Sequence, residues 1–368
     1  MTEPLKYIKK YRNSSNIVFS LILLSINAFS QTNYTQRTYE IWDDCPARNR
    51  GHDFKIIKAD GYPFDKDWES ESYPIGNGYM GANIFGRTDT ERIQITEKTL
   101  ANEGLYGFGG LTSFSETFLE FNHKKVKNYK RSLSLNEAKL NVSYENNGVK
   151  YTREYLANYP DNVIAIKLSA DKKGKISFNL RSEIPYLKSV NDKNAKTGKT
   201  FAENDLITLS GNIAHFNVNY ESQIKVINQG GKLTAKNADG KSEIKVSNAN
   251  TVVLFIATGT NYKLSDKIFL EETNNKKLDV TVFPHENVSK LIKSASENGF
   301  DVIKENHLKD YQKLFSRVNL IISPEKPKET TKILLQDYKK GNYSTYLEEL
   351  MFHYGRYLLI SSSRAGTL

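Results

Sequence analysis

The chain has 368 residues, of which 38% are hydrophobic and 11% aromatic, enough for two or more packing units with substantial cores. Its formal net charge is +10, yet the 52 basic and 42 acidic residues are scattered, without a long basic block, a zinc-finger motif or an RNA-binding motif. This pattern favours a lysine-rich protein surface over nucleic-acid binding, and the single cysteine, Cys45, excludes an intramolecular disulfide.

The first thirty residues have the features of a signal peptide. Four basic residues between Lys6 and Arg12 precede the apolar run Ile17–Phe29, and Ala28–Ser30 places small residues at both positions that define cleavage. The apolar run of about thirteen residues is too short to span a bilayer as a helix. We therefore predict a cleaved signal peptide over 1–30, export to the periplasm or medium, and no membrane span afterwards; a buried N-terminal helix is the alternative.

Residues 31–283 show the pattern of an antiparallel β-sandwich domain. In "KLNVSYENNGVKYTREYLAN" alternating apolar residues run from Leu140 to Tyr144, meet a turn at Asn146–Gly148 and return, which predicts a hairpin. Further strands are predicted over 162–170, 175–184, 205–211, 222–228 and 250–262. Many strands without alternating helices favour a large sandwich over a doubly wound parallel sheet.

Helical periodicity begins after Pro284. Apolar residues recur at helical spacing from Val288 to Ala295, Gly299 is placed to stop that helix, and a second periodic run extends to Val318. We predict a helical linker over 284–330.

The segment 331–368 ends in a strongly apolar helix. Thr345 and Glu348 have capping-box spacing, and one predicted stripe carries Leu347, Leu350, Met351, Tyr354, Leu358 and Ser361. Because its other faces are also mostly apolar, the helix needs neighbours on several sides. The chain stops at Leu368, so we expect the sequence to be a piece of a longer protein.

The stretch "GNGYMG", Gly76–Gly81, matches the dinucleotide-binding pattern G-x-G-x-x-G. That fingerprint requires a central strand before it and a helix after it. Here Pro74 precedes it, and "ANIFGRTDTERIQITE" predicts strand, turn and strand, although Glu97 stands where an acidic residue belongs. We predict instead a tight turn near a domain interface, with a positive φ at one or more of the glycines.

Three ordered stretches resemble glycoside hydrolase family 95. They are "SYPIGNGYMGANIFGRTDTERIQITEKTL", "NHLKDYQKLFSRVNL" and "FHYGRYLLISSSRAGTL", spanning about Ser72 to Leu368. Two departures are visible: "TLANEGLYGFGGL" lacks the tryptophan of the family's usual "TLWSGGP", and "SRAG" stands where "SRPG" is common.

The resemblance implies an α-L-fucosidase or α-L-galactosidase that acts by inversion, without a cofactor, on fucosylated or L-galactosylated glycans. It also implies the fold: a large supersandwich-like β-sandwich, a helical linker and an (α/α)6 catalytic barrel, of which 331–368 supplies the first helices. In the family a Glu acid and an Asp assisted by asparagines lie in that barrel, beyond the last matched segment. We therefore expect no catalytic residue in this chain. The alternative is a non-catalytic carbohydrate-binding or scaffold β-sandwich protein.

Five residues are candidates for substrate contact. Trp68 has a ring able to stack on a sugar, and Asn77, Glu97 and Asn102 lie in or near the signature, where a sandwich loop reaches a neighbouring barrel. Arg364 is the fifth candidate for substrate contact. Its alternative role is to pair with a carboxylate near the barrel mouth. Structural alternatives stand beside the others: domain packing for Trp68, turn formation for Asn77, and a salt bridge or cap for Glu97.

Other titratable residues give no catalytic or metal-binding candidate. Three close carboxylate pairs are predicted to be solvated: Asp43 with Asp44, Glu69 with Glu71, and Glu116 with Glu120. The six histidines lack metal-ligand spacing, and His353 is predicted to be a packed core residue.

Overall fold

A computed structural model describes residues 37–52, 56–57, 65–102, 110–189, 196–238, 240–272 and 277–366. The predicted signal peptide, 1–30, lies outside the described residues. All the elements below lie in one compact unit, Thr38–Leu368. Within the described part of the chain, none of the helices combines the length and the apolar character needed to cross a membrane.

Strands dominate the first two thirds of this unit. In chain order they are β1 Glu40–Asp43, β2 Ile56–Ile57, β3 Tyr73–Gly76, β4 Met80–Ile84, β5 Thr90–Glu97, β6 Ala101–Asn102, β7 Gly110–Leu111, β8 Ser115–Glu120, β9 Lys127–Ser134, β10 Lys139–Asn146, β11 Val149–Asn158, β12 Val163–Ala170, β13 Ile176–Glu183, β14 Lys188–Ser189, β15 Lys196–Glu203, β16 Leu206–Ile213, β17 Val218–Gln229, β18 Lys232–Ala238, β19 Lys241–Ala249 and β20 Thr251–Thr260.

Two antiparallel sheets pack face to face. A nine-stranded sheet has the order β1-β9-β10-β11-β12-β20-β17-β16-β15, and a seven-stranded sheet has the order β18-β19-β13-β8-β5-β4-β3. Ile93 and Ile95 from the second sheet join Leu140, Ile166 and Ile256 from the first in one fully buried core. The predicted large antiparallel sandwich is confirmed.

The β10–β11 hairpin shows how local sequence determines the fold. Asn146 pairs with Val149 across a two-residue turn, in which Asn147 and Gly148 have φ angles of 50° and 69°. Asn-Gly tolerates these positive angles, and the resulting type I′ twist suits two antiparallel strands. The predicted hairpin is confirmed.

In the described ranges, five α-helices accompany the sheets: α1 Lys66–Glu71, α2 Lys267–Leu270, α3 His285–Phe315, α4 Thr331–Lys339 and α5 Thr345–Ser362. The long α3 is interrupted at Gly299, whose φ of 76° and ψ of 166° are not helical, so the predicted break is confirmed. Its first half packs Val288 and Ile292 against Phe255 and Ala257 on the outer face of the nine-stranded sheet.

Helix α5 differs from the prediction in its cap. Ser344 is the N-cap, and its hydroxyl accepts a hydrogen bond from the Leu347 N–H at 3.2 Å, so the predicted capping box at Thr345 is wrong by one residue. A serine one position earlier meets the same requirement for a hydroxyl acceptor at the first turn.

The buried face of α5 is also rotated from the predicted stripe. His353 and Tyr357 are buried, whereas Met351 and Leu358 are exposed. Glu349 accounts for part of the rotation. Its buried carboxylate accepts backbone N–H bonds from Ile322 and Ser323 and a hydroxyl bond from Tyr39.

The Tyr39 ring also stacks on His353, with centroids 4.0 Å apart. His353 is therefore a packed core residue, as predicted.

Two of the predicted solvated carboxylates are buried instead. Glu116 accepts hydrogen bonds from both Nε and Nη2 of Arg92, at 2.8 and 2.9 Å, and Glu71 pairs with Arg50 at 3.0 Å. Burial is tolerated because each carboxylate meets a guanidinium in a fixed geometry. The prediction of a solvated side chain is wrong for Glu71 and Glu116, while Asp44 is exposed as expected.

Candidate functional site

The glycine-rich signature forms a hairpin between β3 and β4. Asn77 N–H donates to the Met80 carbonyl at 3.1 Å, and Gly78 has a φ of 82°. Pro74 is tolerated because β3 is the terminal strand in the order of the seven-stranded sheet. Strands β4 and β5 follow, where a dinucleotide loop requires a helix, so the predicted tight turn is confirmed.

This hairpin packs against the C-terminal end of α5. A side chain at Gly76 would place its Cβ 2.7 Å from the Ser361 carbonyl oxygen, and one at Gly78 would lie 2.9 Å from Cγ of Arg364. The Gly78 N–H donates to that Ser361 oxygen at 2.8 Å. We call Gly76, Gly78, Ser361 and Arg364 the hairpin junction; it requires glycine for space as well as for backbone angle.

Asn77 is fully buried and organises the turn. Its Oδ1 accepts from the N–H groups of Tyr79 and Met80 at 3.0 and 2.8 Å. Its Nδ2 donates to the Asn158 carbonyl at 2.8 Å and to Oδ1 of Asn162 at 3.1 Å. Both ends of the amide therefore tie the hairpin to the β11–β12 turn, and a substrate contact by Asn77 stays a prediction.

Arg364 lies beside the hairpin and joins three elements. Its Nη2 pairs with Asp310 of α3 at 2.8 Å, and its Nε donates to the Ile360 carbonyl at 2.9 Å. The guanidinium stands 4.9 Å from the ring centroid of Tyr159, a cation–π distance. The sequence pointed to pairing of Arg364 with a carboxylate, and the structure identifies Asp310 as the partner.

Glu97 is the last residue of β5 and is fully buried behind the hairpin. Its carboxylate accepts from the N–H and hydroxyl of Thr99 at 2.9 Å, and the Tyr79 hydroxyl is a further partner. Burial raises the pKa of the Glu97 carboxyl, and these hydrogen bonds offset part of that effect. The predicted capping role is close to this geometry, because Glu97 accepts from the backbone of the turn that follows.

Replacing Glu97 by glutamine is expected to change how stability depends on pH. With a raised pKa the folded state holds a proton that the unfolded state has lost, so the stability that Glu97 contributes falls as pH rises through this window. Glu97→Gln stays neutral. The unfolding free energy of Glu97→Gln, measured by urea titration, should therefore increase relative to that of wild type as the pH rises above the ordinary carboxyl pKa of about 4.

Thr99→Val provides the control for that experiment. It removes a donor to the same carboxylate but keeps the titrating group, so the pH dependence should remain and extend to higher pH. A difference between Glu97→Gln and wild type that is constant with pH would contradict the expectation.

A shallow cavity of about 220 Å³ opens at the hairpin junction. The sandwich contributes Tyr79, Thr96 and Lys98, and α5 contributes Tyr357 and Ser362. The ammonium of Lys98 lies 5.6 Å from the Tyr79 ring centroid.

Sequence reasoning did not select these lining residues. Tyr79 and Lys98 stand within or next to the glycine-rich signature, and that position could have identified them as site residues from sequence. Tyr357 has no such signal, because only the fold brings α5 to the hairpin.

Trp68 is linked to the cavity wall through hydrogen bonds, whereas Asn102 lies in a short two-stranded ladder. The indole N–H of Trp68 donates to Oε1 of Gln94 at 3.0 Å, and Gln94 in turn donates to the Thr96 hydroxyl at 2.8 Å. Trp68 is 45% exposed, so its side chain is partly open to solvent. Asn102 pairs with Gly110 in the short β6–β7 ladder, and its side chain lies outside the described residues.

The described residues that line this cavity can contact a ligand, but they cannot carry out inverting hydrolysis. Inverting hydrolysis of a glycoside needs two carboxyl groups roughly 6.5–9.5 Å apart. Among the described residues that line the cavity, none is Asp or Glu. The described site therefore offers hydroxyls, an ammonium and aromatic surface, but no acid–base pair.

Comparison with protein families gives the class of the chain. Residues 41–102 and 108–265 match the model described as glycosyl hydrolase family 65, N-terminal domain, and residues 299–368 match the glycosyl hydrolase family 95 catalytic domain. The β-sandwich and the helices that follow it thus match domains found in glycoside hydrolases.

Curated relatives agree with the second match. The chain is 29% identical over 362 residues to alpha-L-fucosidase 2 of Arabidopsis thaliana, covering 82% of this chain and 41% of the relative. It is 27% identical over 353 residues to probable alpha-fucosidase A of Aspergillus niger, covering 81% and 42%. The chain therefore belongs among the glycoside hydrolases and is similar to family 95, and it spans about two fifths of the length of these relatives.

Similarity extends to solved structures. A putative kojibiose phosphorylase from human microbiome aligns with a TM-score of 0.48 and 13% identity, covering 89% of this chain and 42% of that one.

Proposed function

We propose that the chain is part of an exported glycosidase, which removes α-L-fucosyl or α-L-galactosyl residues from glycans with inversion. The observation that carries this proposal is the combination, in one chain, of the sandwich and the family 95 helices with relatives named as fucosidases. Export rests on the basic and apolar pattern of residues 1–30.

We place the catalytic acid and base outside these 368 residues. The cavity at the hairpin junction is lined, among described residues, without a carboxyl group. On α5 the exposed apolar residues Met351, Phe352, Leu358 and Leu359 form a surface suited to packing against further helices. In this proposal the sandwich positions α5, and α5 in turn positions the catalytic helices.

Turnover assays test the proposal. The purified 368-residue chain should release no nitrophenol from p-nitrophenyl α-L-fucoside or α-L-galactoside, because it lacks the acid and base. The same chain extended by a complete family 95 catalytic domain should hydrolyse one of the two, and NMR should show the inverted anomer first.

Each outcome has a separate meaning. Turnover by the 368-residue chain would overturn the placement of the acid and base. Absence of turnover by the extended protein on both substrates would overturn the glycosidase function. An unprocessed N-terminus in exporting cells, where we expect cleavage after Ser30, would overturn the proposed export.

A further inference from the structure

A groove lies on the outer face of the nine-stranded sheet, away from the hairpin junction. It is formed by β15, β16 and β17 beside the start of α3 and encloses about 480 Å³. We call it the edge groove, and the residues used below are Lys199, Ser210, Asn212, Glu221, Phe283 and His285.

Strand alternation explains the polar floor of the edge groove. In β16 the side chains of Ile207 and Leu209 enter the core, so Ser210 turns outward. The register places Lys199 and Glu221 on either side of Ser210. A polar row therefore crosses three strands, ending where α3 begins.

The polar groups in the edge groove are held in fixed positions. Nδ1 of His285 lies 2.9 Å from Oε1 of Glu221, and Nε2 of Gln223 donates to the same oxygen at 2.8 Å. Glu221 is only 6% exposed, so its carboxylate is immobilised at the groove wall. A carboxylate has about four lone-pair sites, which leaves capacity to accept a further hydrogen bond from a ligand hydroxyl.

The amide of Asn212 is fixed in the same way. Its Nδ2 donates to the side-chain oxygens of Asn217 and Asn219 at 2.8 and 3.0 Å. Because these partners hold the amide plane, Asn212 needs no reorganisation to meet a ligand, which lowers the entropy cost of binding.

One wall of the edge groove is apolar. Phe283 lines the groove and is 67% exposed, so its ring is open to contact by a ligand in the groove. An aromatic face beside fixed hydroxyl, amide and carboxylate groups matches a ligand that has both apolar faces and hydroxyl edges. Neutral sugars have this combination of surfaces.

We propose that the edge groove is a secondary glycan-binding site for a neutral oligosaccharide, with Phe283 against a sugar face and Glu221 and Asn212 at its hydroxyls. Glu221 is the one carboxylate among the described residues that line the groove, so these residues form a binding site without an acid–base pair. The choice of a glycan as ligand rests on the proposed function. The site would hold an oligosaccharide on the sandwich, separate from the hairpin junction.

Binding to the 368-residue chain tests the proposal, with 2′-fucosyllactose and lactose as probes. Calorimetric titration should show saturable binding of at least one probe below about 10 mM. Phe283→Ala should weaken that binding about tenfold, corresponding to about 1.4 kcal/mol. Glu221→Gln should weaken it as well, and thermal unfolding of both variants confirms that they are folded.

Phe269→Ala is the matched control, because Phe269 is 74% exposed on α2 and does not line the groove. It should bind like wild type. Absence of saturable binding, or equal affinity of wild type and Phe283→Ala, or equal losses in Phe283→Ala and Phe269→Ala, would overturn the site. These results concern binding alone, so they are distinct from a failure of the turnover assays above.

Discussion

Replacing Arg153 by methionine is expected to lower the unfolding free energy of the chain by about 3–5 kcal/mol. Nη1 of Arg153 pairs with Glu91 at 2.9 Å, and Nη2 donates to the Arg87 carbonyl at 2.8 Å. Glu91 is fully buried and also accepts the Tyr155 hydroxyl. Methionine fills the space of the arginine stem but leaves Glu91 as a buried charge without its cation, and that uncompensated charge is the source of the loss.

Arg181→Met is the matched control. Arg181 pairs with Glu120 at 2.9 Å, but both side chains are partly exposed, so this pair is worth only about 0–1 kcal/mol. Urea unfolding of both variants measures the contrast. Equal losses would show that Glu91 does not depend on Arg153. The double variant Arg153→Met with Glu91→Leu should recover part of the loss, because it removes both buried charges.

Replacing Gly78 by alanine is expected to cost about 2–4 kcal/mol. About 1–2 kcal/mol comes from forcing an L-residue to a φ of 82°, and the rest comes from contact of the new methyl with Cγ of Arg364 at 2.9 Å. Hydrogen exchange of the residue 78 N–H, which donates to Ser361, should accelerate at the same time.

Gly148→Ala separates the two causes. Gly148 has a similar φ of 69°, but a Cβ there would meet nothing within 4 Å, so only the backbone cost of about 1–2 kcal/mol applies. Equal losses in the two variants would show that the contact with α5 adds nothing. A larger loss of unfolding free energy in Gly78→Ala, together with faster hydrogen exchange of the residue 78 N–H, would locate the additional strain at the hairpin junction.

Local chemistry made part of the fold predictable from sequence. The Asn147-Gly148 turn, the break at Gly299 and the positive φ at Gly78 each depend on backbone angles that few residues adopt. Such features need no knowledge of distant partners. The same holds for the antiparallel sandwich, whose strands show themselves by alternation.

Buried charges were not predictable in this way. Glu116 stands in a strand whose pattern gives no sign of burial, and its partner Arg92 comes from another strand 24 residues earlier. The orientation of α5 depended likewise on the groups that hold Glu349. In both cases a charged side chain occupies a buried position because of groups brought together only by tertiary folding.

The candidate site shows the same division. The signature identified Asn77 and Glu97 as special positions, but their hydrogen bonds could not be read from sequence. The edge groove was missed entirely, because Glu221 and His285 are 64 residues apart and meet only where α3 returns to the sheet.

The bond from Gly78 to Ser361 has a consequence for domain exchange. The last carbonyls of a helix lack partners within the helix, and here the sandwich supplies one of them from its own backbone. The end of α5 therefore depends on a hydrogen-bond donor from the sandwich as well as on its own residues. A chimera that joins these helices to a foreign sandwich should fray at the end of α5 unless the incoming domain presents glycines at the positions of Gly76 and Gly78.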